Sequence, residues 1–200
     1  ANETLQMAVR RIALGWAVRD PSGAARATAD GRMGYLLYRR ESLRRMFTAV
    51  RETPQPTIAA VFGHVVGGGF ELALSCDLIV AADDAKLALP EARVGLVPAG
   101  GGTFLLRRAV GAPRAKELIF TGRRLDAHAA FELGVVNEVV ARDGLDAAAL
   151  AHAERIVESS PVATRAAKRA ILRAQEAETA AALAAEEVAL AEVTRSRDAE

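Results

Sequence analysis

Two carboxylates and two glycine runs carry the chemistry this sequence offers. Gly67-Gly68-Gly69 stands directly before Phe70-Glu71 at what reads as a helix start; twenty positions after Glu71, Pro90-Glu91 precedes Val94-Gly95-Leu96-Val97-Pro98-Ala99-Gly100-Gly101-Gly102. Glycines ahead of a helix let another molecule approach the backbone closely and leave the first-turn N–H groups free to bind a carbonyl oxygen or an anion. A carboxyl in an apolar neighbourhood is expensive to bury ionised, which makes Glu71 and Glu91 candidates for proton transfer. Brought to one cleft by consecutive βα connections, two carboxylates and a glycine N–H donor would form an acid/base site for a carbonyl compound. The same residues also have a plain structural reading, with Glu71 favoured by the helix dipole and Glu91 a surface loop charge. Spacing alone leaves both open.

Other reactive side chains form no pattern. His64 and Ser75 lack a Gly-x-Ser-x-Gly elbow and a supporting Asp motif. Cys76 is the single cysteine and reads as a core thiol; it excludes a disulfide framework and a multi-thiolate metal site. His64, His128 and His152 share no ligand spacing, so no metal is expected. Gly100-Gly101-Gly102 is not followed by Lys-Ser/Thr and is no phosphate-binding Walker loop.

The elements that must position the two glutamates alternate between strand and helix. Thr57 to Phe62 reads as a buried strand, Phe70 to Cys76 as a short helix, Asp77 to Ala82 and Lys86 to Leu89 as strands. A helix opens after Gly102 and runs through Val110, a second covers Ala115 to Phe120, and a third follows the N-cap candidate Asp126. A strand at Val135 to Val140 closes this stretch, and the repeated β-then-α order predicts an α/β core. From Asp143 the pattern is helical: Asp146 to Glu158, a helix opened by Pro161, and Glu178 to about Arg195, with Leu183, Val188, Leu190 and Val193 on an apolar side that fits either subunit contact or its own domain. Ahead of Pro56 we read helices over Asn2 to Leu14 and Met33 to Glu52, joined by a loop.

Two hundred residues with 26 basic and 25 acidic side chains fit one globular domain or two small ones, and the formal net charge of +1 gives no signal for nucleic acid. Half the residues are hydrophobic and only 4% aromatic, so the core must be built from small aliphatic side chains. The longest charge-free stretch, Thr53 to Phe70, holds two Pro, a Gln, a His and four Gly, and is no membrane span. Ala1-Asn2-Glu3-Thr4 has no Met and nothing of signal-peptide type, which suggests a longer parent chain; with the lone cysteine, a cytoplasmic location is expected. Residues 1 to 51 hold ten Arg against four acidic residues, which leaves open a binding or accessory protein touching RNA.

At these residues the chain resembles a family. Pro56-Thr57-Ile58-Ala59-Ala60-Val61, Gly67-Gly68-Gly69-Phe70-Glu71-Leu72-Ala73-Leu74, Cys76-Asp77, Pro90-Glu91, Gly95-Leu96-Val97-Pro98, Gly100-Gly101-Gly102-Thr103, Ala115-Lys116-Glu117-Leu118, Thr121-Gly122-Arg123 and Ala130 to Val136 are similar, in order and spacing, to the enoyl-CoA hydratase/isomerase (crotonase) superfamily. The resemblance implies a spiral of ββα units over 1–142, its N-terminal part incomplete or divergent, and a helical C-terminal trimerisation region over 143–200. It implies an acyl-CoA thioester substrate, no cofactor beyond the coenzyme A that the substrate carries, and a homotrimer or dimer of trimers.

Residue by residue, the resemblance places Gly68 at the backbone N–H that forms half of an oxyanion hole, and Glu71 and Glu91 at the two acid/base glutamates of the hydratases. Ala29, in Ala27-Thr28-Ala29-Asp30, is the position offered for the second oxyanion N–H, and Ala99 for the N–H that holds the reacting water. The activity this implies is hydration of a 2-enoyl-CoA. Double-bond isomerisation, which needs a carboxylate only at Glu91, is the alternative, and a silent accessory role would need neither glutamate.

Overall fold

The computed structural model describes residues 43–173 together with 175, 180, 183 and 184. Helix α1 covers 43–52, where Phe47 and Val50, three apart, turn one face inward and are 1% and 4% exposed. Strands β1 (Ile58–Val61) and β2 (His64–Val66) follow, then helix α2 (Gly68–Leu74), strands β3 (Leu78–Ala82) and β4 (Lys86–Ala88), a 3₁₀ turn at Glu91–Val94 and helix α3 (Gly102–Thr121). Strand β5 (Leu125–Asp126), helix α4 (Ala127–Glu132), strand β6 (Glu138–Val140) and helix α5 (Leu145–Val157) complete the core, and 161–173 form helix α6.

The chain winds as a spiral because each turn gives one strand to each of two sheets. β1, β3 and β6 form the first sheet, all parallel, with Ile58 beside Leu78 and Val80 beside Glu138. β2 and β4 are parallel in the second, where β5 joins antiparallel to β4. Corners separate the strands of a turn. At the first, Gly63 has φ 57°, a left-handed conformation that glycine adopts without a Cβ penalty. Its carbonyl accepts the Lys86 N–H at 2.7 Å and its N–H donates to Asp84 Oδ1 at 3.3 Å, so successive corners stack.

Small side chains hold the sheets and helices together. Ala81, Ala82, Ala85, Ala127 and Ala130 are fully buried beside Leu87, Leu106 and Leu125, as an aromatic-poor composition requires. Helix α5 packs on the first sheet, setting Leu145 and Ala148 against Val80, Ala82, Ile58 and Ala60. Helix α6 is fastened by Lys168, 8% exposed, whose Nζ donates to Asp77 Oδ2 at 2.6 Å and to the Gln55 carbonyl at 3.0 Å.

Several expectations shift in detail. The helix expected over Phe70 to Cys76 starts two residues earlier, because the glycines themselves form its first turn, and ends at Leu74. The two helices expected at 102–110 and 115–120 are both present within α3, separated at Gly111, whose φ 74° and ψ 162° are not helical, with Pro113 in the first turn of the second. Of Val135 to Val140 only Glu138–Val140 pairs as strand; Val135 and Val136 are buried in the preceding turn, which bonds back to the Ala130 carbonyl. Asp126 caps α4 as expected, its Oδ1 accepting from the Ala129 N–H at 2.8 Å. The helix expected over Asn2 to Leu14, and all of 178–195 except 180, 183 and 184, lie outside the described residues.

Candidate active site

The glycine run delivers Glu71. Gly67, at φ 58° and ψ −128°, turns the chain out of β2, and its carbonyl accepts the Phe70 and Glu71 N–H groups at 2.8 and 3.0 Å. Gly68 is the first residue of α2, so no carbonyl within the helix lies behind its N–H. A Cβ built there would have no heavy atom within 4 Å, so the backbone at Gly68 faces open space. Phe70, 1% exposed, and Ala73 pin the helix to the core, and this fixes Glu71 at the end of the first turn, itself only 4% exposed.

The second glycine run clamps the carboxylate. Glu71 Oε1 accepts from the Gly100 N–H at 2.8 Å and the Gly102 N–H at 2.9 Å. A side chain at Gly102 would put a Cβ 2.9 Å from the same oxygen and 2.8 Å from Pro98 Cβ, so only glycine brings this backbone so near. Burial raises the Glu71 carboxyl above its usual range, and the two backbone N–H groups pull it back without cancelling the rise.

Glu91 reaches the site from the 3₁₀ turn after β4 and is less well satisfied. Its Oε2 is buried with no hydrogen-bond partner among the described residues. Its Oε1 lies 2.9 Å from where a Cβ of Gly67 would stand, so the two glycine-dependent approaches meet at the pair of carboxyls. Burial is the main cause that pushes its pKa up to about 7; the negative charge of Glu71 adds to the rise, and its own backbone N–H opposes it. Near neutral pH, therefore, Glu91 readily holds a proton. An apolar groove of about 840 Å³ runs along the outer side of the same turn, between Leu96, Val97 and Pro98 and the Ile119 and Phe120 end of α3.

Of the residues singled out from sequence, Gly68, Glu71 and Glu91 are brought to one place. Ala99 is half-buried on the clamping loop, next to Gly100. Ala29 lies outside the described residues. Sequence reading missed the Gly100 and Gly102 N–H clamp, whose signal was the second glycine run, and the ion pair of Lys168 with Asp77, which has no local signal. It also missed β2 and β5, three and two residues long, too short to show periodicity. No group of three or more potential metal ligands occurs among the described residues, and no described helix is long and apolar enough to cross a membrane.

A two-sheet spiral, parallel except where β5 joins β4, with two glutamates beside glycine-rich turns, is the arrangement that the sequence resemblance leads one to expect. The family model for enoyl-CoA hydratase/isomerase matches residues 28–200. Mouse enoyl-CoA hydratase domain-containing protein 2, mitochondrial, is 44% identical over 162 residues, covering 79% of this chain and 55% of that protein. Human methylglutaconyl-CoA hydratase, mitochondrial, is 40% identical over 160 residues, 78% of this chain and 47% of that one. A Bacillus anthracis enoyl-CoA hydratase structure superposes with a TM-score of 0.72 at 33% identity, covering 98% of this chain and 80% of that one. A Mycobacterium smegmatis enoyl-CoA hydratase gives 0.69 at 40% identity over 72% and 66%. The chain belongs to the enoyl-CoA hydratase/isomerase family, with the crotonase fold. It spans about half the length of the curated relatives it matches.

Proposed function

We propose that this chain carries the acid/base core of an enoyl-CoA hydratase, adding water across the double bond of a 2-enoyl-CoA. The supporting observation is the unequal state of the two carboxyls: Glu71 is held on two N–H groups, while Glu91 has an oxygen without a partner among the described residues and a pKa pushed up to about 7. In the forward reaction the Glu71 carboxylate takes a proton from water as the water oxygen bonds to the β-carbon. The π electrons move to the thioester carbonyl, whose oxygen becomes an enolate beside the Gly68 N–H at the positive end of α2. Glu91, entering as the neutral acid, gives its proton to the α-carbon as the carbonyl re-forms. Return of the proton from Glu71 to Glu91 restores the starting state.

Ala99 and Ala29 keep their places in this proposal as the water-holding N–H and the second oxyanion N–H. The substrate is an acyl-CoA ester, with no further cofactor. The protein works as a trimer or dimer of trimers in the cytoplasm. Light scattering that gives a monomer mass would remove the trimer, and cell fractionation tests the location. The activity is tested by following loss of the conjugated thioester absorbance with a panel of 2-enoyl-CoA esters. Hydration of at least one ester supports the reading; isomerisation of a 3-enoyl ester with no hydration would replace it by the isomerase alternative.

A further inference from the structure

Phe47, on α1, has no part in the site as built so far, yet it is among the largest fully buried side chains, 1% exposed. A Cβ placed on Gly100 would fall 2.5 Å from Phe47 Cε2, 2.8 Å from Phe47 Cδ2 and 2.7 Å from Glu71 Oε2. The ring edge and the carboxylate oxygen that the clamp leaves free therefore converge on the spot that the missing side chain vacates. Conformation does not demand glycine here, because Gly100 is not among the residues with positive φ. What excludes a methyl group is Phe47 and Glu71 themselves. Among the described residues, the polar groups facing Glu71 from the other elements are the Gly100 and Gly102 N–H groups and, from the 3₁₀ turn, Glu91. Of the cations on α1, Arg44 and Arg45 line a separate surface hollow and Arg51 lies over the Phe104 ring at 5.6 Å.

We propose that Phe47 is a positioning residue for Glu71: its ring and the bare Cα of Gly100 wall in the carboxylate on one side and hold it on the Gly100 and Gly102 N–H groups. The consequence for turnover rests on the hydratase reading, whereas the slot itself does not. Burial is the largest cause of the raised Glu71 carboxyl, so opening the Phe47 wall lowers it.

The test uses Phe47→Leu, Gly100→Ala and the double variant of the full chain, with Phe47→Met in place of Phe47→Leu should the latter fail to fold. Melting curves come first. Each single variant melts below the unmodified protein, and the double variant melts no lower than Gly100→Ala alone, because the smaller side chain makes room for the methyl. Next, the Glu71 carboxyl is titrated by carbon-13 NMR, assigned with Glu71→Gln; its midpoint moves to lower pH in Phe47→Leu. In hydration of an enoyl-CoA ester, kcat for Phe47→Leu drops by about tenfold or more with KM nearly unchanged, as for a displaced catalytic group, and the acid limb of the pH profile follows the titration. Strictly additive melting losses together with an unmoved Glu71 titration overturn the proposal. Coupled melting and a moved titration in a protein without hydratase activity would keep the slot and discard the hydratase reading instead.

Discussion

Replacing Glu91 with Gln removes a titrating carboxyl while keeping its shape, and the structure sets both the sign and the size of the effect. In the folded protein this group has a pKa of about 7, against 4.5 for the unshifted carboxyl. Between those values the folded chain holds a proton that the unfolded chain has released. The stabilisation from Glu91 is therefore full below about pH 4.5, is lost as pH rises towards 7, and is absent above. A shift of that size corresponds to about 3 kcal/mol at 1.36 kcal/mol per pH unit. Glu91 is only partly buried, and water screens part of the interaction, so about 1 to 2 kcal/mol is the realistic figure. The amide of Gln is neutral throughout, so Glu91→Gln flattens this part of the stability profile and melts higher than the unmodified protein above pH 7, by roughly 2 to 8 °C. Thermal denaturation of both proteins from pH 4.5 to 8 measures the difference, in which the contribution of the other carboxyls largely cancels. The same variant loses both hydration and isomerisation by about 100- to 10,000-fold, as expected when a general acid is removed. Identical pH slopes in the two proteins would show that Glu91 does not titrate in this window, and would refute the reasoning that makes it the proton donor.

Glu71→Gln should abolish hydration and spare isomerisation of a 3-enoyl-CoA, which an enoyl-CoA assay run in both modes distinguishes; full hydratase activity in a folded Gln variant sinks the two-carboxylate mechanism. Gly68→Val meets no atom within 4 Å of its Cβ, so its melting temperature should stay close to that of the unmodified protein, while the side chain blocks the approach of the thioester. Turnover should fall by the equivalent of about 3 kcal/mol, the usual worth of one oxyanion donor; unchanged turnover would place the carbonyl elsewhere. Lys168→Met leaves Asp77, among the described residues, with its Thr57 partners alone and should destabilise the chain by about 2 to 3 kcal/mol, read by urea denaturation, with Asp77→Asn in the same chain recovering part of the loss.

The α/β order from Pro56 to Val140 and the placing of Glu71 and Glu91 beside glycine runs were legible in the sequence, because both rest on local patterns. Alternating apolar runs mark β1, β3 and β4; glycine triplets mark helix starts; Asp126 marks a cap that the structure places where expected. Membership of the family was legible for the same reason, since its motifs are short strings in fixed order. The break between the two halves of α3 was legible too: Gly111 and Pro113 read locally as a helix end and a helix start, and Gly111 is where the backbone leaves helical geometry.

What the glutamates experience was decided only by the tertiary structure. Glu71 and Glu91 have the same side chain and similar glycine-rich surroundings in sequence, yet one is clamped by N–H groups 29 and 31 positions away and the other has a buried oxygen without a partner among the described residues. A pKa depends on the full three-dimensional surroundings, on how much water is excluded and which donors converge, and residues brought together by the winding of the spiral supply both. The Phe47 ring over Gly100 and the Lys168 bond to Asp77 are of the same kind, contacts across more than fifty residues that no periodicity encodes. Sequence determined which residues could do acid/base chemistry, and packing decided how differently the two carboxyls are held.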